Sequence, residues 1–305
     1  MKEVRPFVKW AGGKGSLIPQ LKNFYPFELE NETIIKYVEP FIGGGAVLIN
    51  ILQKYDVKEV YAFDINVDLI NCYNVIKNNV DELITKLDKM EKDFIKLEQN
   101  DRQKYFYDIR KEYNSYRINE NEQSVKRASE FIFLNRTCFN GLYRVNKSGE
   151  FNVPCGKYKN PTICDADNLR NLSYLIRNVI FQYGDYTKSE QYVDNNTFVY
   201  FDPPYRPLSV SSGFTSYTKE DFNDDNQKEL ATYYRKLNEK NAKLMLSNSN
   251  PKNTNKEDTF FEEIYKGFNI NEVSARRMIN ANAKGRGEIS ELLITNYEEM
   301  NKCIQ

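Results

Sequence analysis

Val199-Tyr200-Phe201-Asp202-Pro203-Pro204-Tyr205 joins an apolar run to an acid, two prolines and a tyrosine. The run Phe198 to Phe201 predicts a buried strand. Asp202 then stands at its carboxyl end, where open α/β sheets hold their ligand crevice. The prolines fix φ and restrict the residues before them, so the turn is stiff. The Asp202 carboxylate and a backbone carbonyl are both acceptors and can converge on one NH2 group. The ring of Tyr205 offers a face on which a planar base can stack. By itself the triplet Asp202-Pro203-Pro204 would be a strand running into a proline turn. The four-residue match after an apolar strand shifts the balance towards a ligand site.

Working outward, a strand over Ile34 to Val38 ends at Glu39-Pro40-Phe41. Gly43-Gly44-Gly45 follow, and then a helix over Ala46 to Gln53. A further strand, Glu59 to Phe63, closes on Asp64. The glycines let a ligand approach the backbone. An acid about twenty residues later suits ribose hydroxyls. The nicotinamide fingerprint is incomplete, because Leu48 stands where its third glycine belongs. Ala11-Gly12-Gly13-Lys14-Gly15-Ser16 fails as a P-loop, with Val8 for the first glycine and Gly15 after the lysine. Asp221 to Thr232 fails as a calcium loop, since Asn226 replaces its glycine and Thr232 its glutamate. Further strands are expected at Val179 to Tyr183, Lys243 to Leu246, Ile270 to Val273 and Leu292 to Asn296. Helical spacing runs through residues 67–134 and 220–240. Residues 135–165 mix Asn, Gly, Pro, Arg and aromatics, as a recognition loop would. The expected fold is α/β, a Rossmann-like sheet interrupted by a mainly helical insert. Residues 1–70 and 166–305 form the first unit and residues 71–165 the second.

A length of 305 residues with 40% hydrophobic content leaves room for a large core. No run of eighteen apolar residues occurs and Met1-Lys2-Glu3-Val4-Arg5 has no apolar signal core, so a cytoplasmic protein without a membrane span is expected. The five cysteines show no CxxC pair, which speaks against a disulfide frame or a zinc site. The chain has no histidine. Ser-His-Asp and Cys-His catalysis and histidine-ligated metals are thereby excluded. The formal net charge is zero, so no global basic field announces a polyanion. Its placement is uneven. Arg136, Arg144, Lys147, Lys157 and Lys159 crowd residues 134–160, and Arg276, Arg277, Lys284 and Arg286 crowd residues 275–287. Acids gather in 81–122 and 219–229.

Taken together, these segments resemble the Dam-type DNA adenine-N6 methyltransferases, the α group of amino methyltransferases. The matching stretches are Phe7-Val8-Lys9-Trp10-Ala11-Gly12-Gly13-Lys14, Val38-Glu39-Pro40-Phe41-Ile42-Gly43-Gly44-Gly45 and Phe63-Asp64-Ile65-Asn66. They continue with Phe139-Asn140-Gly141-Leu142-Tyr143-Arg144-Val145-Asn146, Gly149-Glu150-Phe151-Asn152-Val153-Pro154 and Gly184-Asp185-Tyr186. Asp202-Pro203-Pro204-Tyr205 and Leu246-Ser247-Asn248-Ser249 complete the set. Each is modest alone; their common order is specific. The chain looks closest to GATC-methylating members that accompany restriction endonucleases.

The resemblance implies S-adenosyl-L-methionine as methyl donor, with Trp10, Lys14, Glu39 and Phe41 around its methionine part. It assigns Asp64 to the ribose and Asp185 to the adenine, and Asp202 to both donor and target. It implies double-stranded DNA as partner. Arg144 would read a guanine, and Lys9, Leu142 and Pro154 would meet another base pair. Phe139 and Asn140 would wedge into the stack, and Arg136, Asn146 and Asn152 would hold phosphates. Phe139 departs from the tyrosine of some relatives. Asp202, Pro203, Pro204 and Tyr205 would form the catalytic grip on a flipped adenine, with no metal. A monomer or weak dimer is expected, with a cognate restriction endonuclease in the same system. Two alternatives remain open on these residues. One is methylation of another amine, such as cytosine N4 or an RNA base. The other is a sequence-specific DNA-binding protein that has lost its cofactor. A dehydrogenase on a similar sheet fits poorly.

Overall fold

The computed structural model describes residues 3–120, 122–206, 222–276 and 288–298. Arg277, Lys284 and Arg286 of the second basic stretch, Asp221 and Cys303 lie outside the described residues. The strands among the described residues are β1 (Lys36–Glu39), β2 (Glu59–Asp64), β3 (Val179–Tyr183), β4 (Thr197–Phe201), β5 (Lys243–Ser249), β6 (Asn269–Arg276) and β7 (Glu288–Thr295). The helices are α1 (Ile18–Leu21), α2 (Ala46–Lys54), α3 (Val67–Asn78), α4 (Val80–Lys96), α5 (Gln99–Ser115), α6 (Val125–Thr137), α7 (Ala166–Leu175), α8 (Asp224–Asn238) and α9 (Phe260–Ile264).

All of these strands join one sheet in the order β3-β2-β1-β4-β5-β7-β6. β3, β2, β1, β4 and β5 run parallel, and β7 is antiparallel to both β5 and β6. Every residue of β4 is buried, as parallel strands covered on both faces require. Its alternation divides the core in two. Phe198 and Tyr200 belong to the cluster that also holds residues of α2 to α6, and Phe198 meets the rings of Tyr25 and Tyr37. Val199 and Phe201 pack with Leu230, Tyr234 and Leu237 of α8 and with Phe261 of α9. The chain order reverses between β1 and β4. β1 leads through α2 to β2 on one side, while β4 leads through α8 to β5 on the other. The carboxyl ends of β1 and β4 therefore diverge into a crevice.

α3 to α6 lie between β2 and β3 in the chain. A buried joint ties them. Arg127 on α6 is 1% exposed and bonds Asp68 on α3 through Nε (2.7 Å) and Nη2 (2.9 Å). The Tyr113 hydroxyl on α5 donates to the same carboxylate at 2.6 Å. With its charge matched and its lone pairs taken, the pair is tolerable in a core.

β5 extends to Ser249, beyond the expected end at Leu246. Ser247, Asn248 and Ser249 look like a loop by composition, yet they pair in register with Leu293, Leu292 and Glu291 of β7. Their polar groups are satisfied. The Ser247 hydroxyl meets the Tyr200 hydroxyl at 2.7 Å, and Asn248 receives the Arg206 amide at 3.2 Å.

Candidate active site

The Pro-Pro turn after β4 is held from three sides. Gln227 on α8 donates to the Pro204 carbonyl at 3.0 Å, and Asn248 in turn bonds Gln227 at 3.1 Å. Ser249 donates to the Arg206 carbonyl at 2.7 Å. The Arg206 guanidinium grips Asp224 through Nε (2.7 Å) and Nη2 (3.0 Å) and Asp258 through Nη1 (2.8 Å). Bidentate geometry of this kind fixes direction as well as position. The side chains of Asp202 and Tyr205 thus project from a rigid frame.

The Asp202 carboxylate meets the Lys14 ammonium at 2.6 Å, and Lys14 itself is only 3% exposed. Lys14 lies on a 3-10 turn (Lys14–Ser16) and also donates to the Gly12 carbonyl at 2.7 Å. Its ammonium sits 4.6 Å from the centroid of the Tyr205 ring, in cation–π contact. The Tyr205 hydroxyl donates to Glu291 on β7. Burial pushes the Asp202 carboxyl up to about 6, against the pull of Lys14 and with help from the Glu291 charge. Glu39 lies close by at the end of β1, 2% exposed, and accepts the Tyr37 hydroxyl at 2.7 Å. Burial drives it well above the usual carboxylate range and favours its neutral form.

The glycine turn follows Glu39 and Phe41. Gly43 (φ +46°) donates its amide to Asp64 at 3.1 Å, and its carbonyl accepts the Tyr73 hydroxyl at 2.9 Å. A Cβ on Gly45 (φ +70°) would lie 2.4 Å from the Tyr73 hydroxyl oxygen. On Gly43 or Gly44 it would come within 3.0 Å of Trp10, which lies along the turn. Trp10 stacks in turn on Tyr143 at 5.5 Å and 21°. Asp64 also accepts the Asn66 amide at 2.9 Å, and burial raises its carboxyl to about 6. Phe41 stacks on Tyr186 at 5.4 Å. Gly184 donates to the Asp64 carbonyl at 3.0 Å, which sets exposed Asp185 beside the end of β2. Asp185, Asp64, Glu39 and Asp202 thus stand at the carboxyl ends of β3, β2, β1 and β4, four neighbouring strands.

The loop after α6 rises from a link that residue composition does not announce. Asn135, 1% exposed, accepts the Lys9 amide (2.9 Å) and donates to the carbonyls of Lys9 (2.8 Å) and Gly141 (3.0 Å). Arg136 donates from Nε and Nη2 to the Phe7 carbonyl, at 3.1 and 2.7 Å. Together they fasten residues 7–9, just before Trp10, to the base of the loop. Lys9 reaches the Tyr158 hydroxyl at 3.4 Å. Phe139 is 53% exposed, and Asn140 beside it is exposed with φ +56°. Leu142 is partly buried, while Pro154 is exposed and gives its carbonyl to the Phe139 amide at 2.9 Å. Beyond them, Asn146 closes a turn, accepting the amides of Ser148 (3.0 Å) and Glu150 (2.9 Å). Exposed Arg144 donates to Asn152 at 2.8 Å. Asn114 on α5 brackets Phe151, accepting its amide at 2.9 Å and donating to its carbonyl at 3.0 Å. Asn135, Asn114, Arg206, Gln227 and Glu291 are absent from the residues singled out by sequence. The only signal is in Ser247-Asn248-Ser249, whose polar run marks β5 as bordering the site.

Over residues 10–279 the chain matches the family model described as D12 class N6 adenine-specific DNA methyltransferase. It is 52% identical to the Type II methyltransferase M.MjaIII of Methanocaldococcus jannaschii over 97% of this chain and 100% of that protein. It is 39% identical to the Type II methyltransferase M1.LlaDCHI of Lactococcus lactis subsp. cremoris, over 96% of each. It is 34% identical to the DNA adenine methylase of Escherichia coli (strain K12), over 96% of this chain and 95% of that one.

Proposed function

The chain belongs to the D12 class of N6 adenine-specific DNA methyltransferases, and we propose that it takes its methyl group from S-adenosylmethionine and delivers it to an adenine flipped out of a GATC duplex. Methylation of adenine N6 in DNA follows from the family. The donor, the site and the mechanism are argued from the crevice. The observation that carries the reading is Asp202, a 21% exposed carboxylate held at 2.6 Å from Lys14 where the sheet changes direction.

The residues present suit such a donor. The glycine turn bars any Cβ beside Trp10 and Tyr73. Asp64 keeps a charge-bearing acceptor there for ribose hydroxyls, and Asp185 offers another for a purine amine. Trp10, Lys14, Glu39 and Phe41 would border the methionine part. When bound, the donor supplies an electrophilic methyl on a sulfonium.

The protein's own groups would do the rest. Flipping costs a few kcal/mol, which stacking on Tyr205 and hydrogen bonding would offset. Asp202 and the Pro203 carbonyl would accept the two N6 hydrogens. Their pull turns the nitrogen lone pair out of conjugation and aims it at the methyl. The N6–carbon bond forms as the sulfur–carbon bond breaks, and one N6 proton leaves to solvent. The rigid Pro-Pro frame keeps these acceptors in place, so positioning and charge supply the acceleration.

Residues 71–165 would form the recognition domain. Arg144, held by Asn152, would read a guanine edge. Lys9, Leu142 and Pro154 would border a second base pair, and exposed Phe139 and Asn140 would fill the gap left by the flipped base. The similarity to Type II methyltransferases supports a companion endonuclease in the same system.

Transfer of labelled methyl groups to GATC duplexes, to duplexes with one base changed, and to GATC already N6-methylated tests this. Only the first should accept label, as N6-methyladenine. Asp202→Ala should keep duplex binding and lose transfer. Equal labelling of all three duplexes, or an active Asp202→Ala, would refute the reading.

A further inference from the structure

β7 contributes one charged residue to the crevice that the mechanism above does not use. Glu291 stands opposite Ser249 of β5 and Val273 of β6. It is partly buried, and it accepts the hydroxyl of Tyr205. The other face of this arrangement is cationic, because the Lys14 ammonium lies 4.6 Å from the ring centroid and 2.6 Å from Asp202. Glu291, Tyr205, Lys14 and Asp202 therefore form one connected chain of contacts.

Two consequences follow. A phenol that donates to a carboxylate holds its ring in one orientation and carries more electron density in it, which strengthens both stacking and cation–π attraction. The charges are also unequal. Lys14 is a single cation against two carboxylates, Asp202 and Glu291, while burial keeps Glu39 towards its neutral form. Around Tyr205 one negative charge is left in excess, besides Asp64 and Asp185 further along the crevice. A sulfonium would neutralise that excess, and a neutral thioether would not.

We propose that Glu291 is a positioning residue for methyl transfer, which fixes the Tyr205 ring and supplies the negative charge that selects a sulfonium donor over its demethylated thioether. The inference rests on the reading of Asp202 to Tyr205 as the target-amine site. Glu291 touches neither substrate; it acts through Tyr205 and through its field.

The groups facing Asp202 are Lys14 from the 3-10 turn, Glu39 from β1, Tyr200 on β4, Tyr205 and Glu291. Among them Glu291 raises the Asp202 carboxyl and Lys14 lowers it. Removing the Glu291 charge must therefore lower the pH at which Asp202 protonates.

The test uses the full chain with Glu291→Gln, Tyr205→Phe and the double variant. S-adenosylmethionine and S-adenosylhomocysteine are titrated calorimetrically, and kcat is followed against pH. Glutamine still accepts the phenol but carries no charge. Glu291→Gln should move the acid limb of kcat to lower pH and cut the preference for donor over thioether by about fivefold. Tyr205→Phe should lower kcat by about tenfold with little change in KM for the duplex, and the double variant should show no further loss in kcat beyond Tyr205→Phe. An unmoved limb together with an unchanged preference in Glu291→Gln overturns the inference. Should Glu291→Gln not fold, a Tyr205→Phe enzyme with wild-type kcat overturns it alone. Asp202→Ala separates the layers. If it is inactive while Glu291→Gln behaves as wild type, only the present inference falls; if it is active, the reading of the site falls.

Discussion

Asp64 and Asp202 sit at the ends of adjacent regions of one crevice, and burial lifts both carboxyls to about 6. Their partners differ. Asp202 has a lysine, whereas Asp64 has the backbone amides of Gly43 and Asn66. A folded-state value above the unfolded one means that the native protein binds the proton more tightly. Stability carried by such a group rises as pH falls from about 6 towards 3.8, and its charge costs stability above that window. Asp64→Asn removes the charge and leaves one acceptor oxygen where the carboxylate uses two, Oδ2 for the Gly43 amide and Oδ1 for the Asn66 amide. By thermal denaturation, the stability of the variant relative to wild type should fall as pH drops from 8 to below 6, because only wild type gains stability by taking up a proton there, while donor binding weakens. A relative stability that rises on acidification would contradict this. Transfer itself should fall as pH drops through about 6, since protonated Asp202 loses acceptor strength towards N6 and its pairing with Lys14. A rate that stays level down to pH 5 would remove Asp202 from the reacting set. Asp64 and Asp202 are legible in sequence because each ends an apolar strand. Glu291 is not, since it meets Tyr205 across 86 residues with no local pattern to mark it.

At the scale of elements, what reads clearly is what repeats. β3 runs from Val179 to Tyr183 as its apolar, β-branched character predicts, and the glycine turn runs into α2 at Ala46. What reads poorly is where polar residues are buried for a purpose. β5 carries Ser247, Asn248 and Ser249 into the sheet, and their hydrogen bonds run to residues whose positions only the fold supplies. Asn135 on α6 is the same case. Its side chain reaches Lys9 across 126 residues and also holds Gly141, so one amide couples the segment before the donor site to the loop that would read DNA. Asn135→Ala orphans three backbone groups, each costing about 1–3 kcal/mol where water does not reach it. The expected variant melts earlier by chemical denaturation, still gains stability from S-adenosylmethionine, and discriminates less between GATC and single-base variants in a labelled-methyl assay. Undiminished discrimination would show that the loop holds its shape without this link.

The whole molecule has no excess charge, yet it acts on a polyanion. Segregation resolves the tension. Acids and bases balance along α4 and α5, whereas Arg144, Lys147, Lys157 and Lys159 are exposed within residues 144–159, where Glu150 is the lone acid. Arg136 bonds the Phe7 carbonyl from two guanidinium nitrogens, so part of its charge serves to anchor the loop. Each neutralised phosphate lowers the slope of log K against log salt by about 0.9. If the three exposed lysines meet phosphates while Arg144 reads a base, the slope for a GATC duplex should be about −3. Lys147→Ala together with Lys157→Ala should make it shallower by about 2 and weaken GATC and unrelated duplexes alike, because phosphate contacts carry no sequence information. Arg144→Ala should instead weaken GATC more than unrelated duplexes, by about 1–3 kcal/mol at one base pair. A double lysine variant with an unchanged slope would place the DNA on another face, and with it would go the assignment of residues 135–160 as the surface that holds the duplex over the crevice.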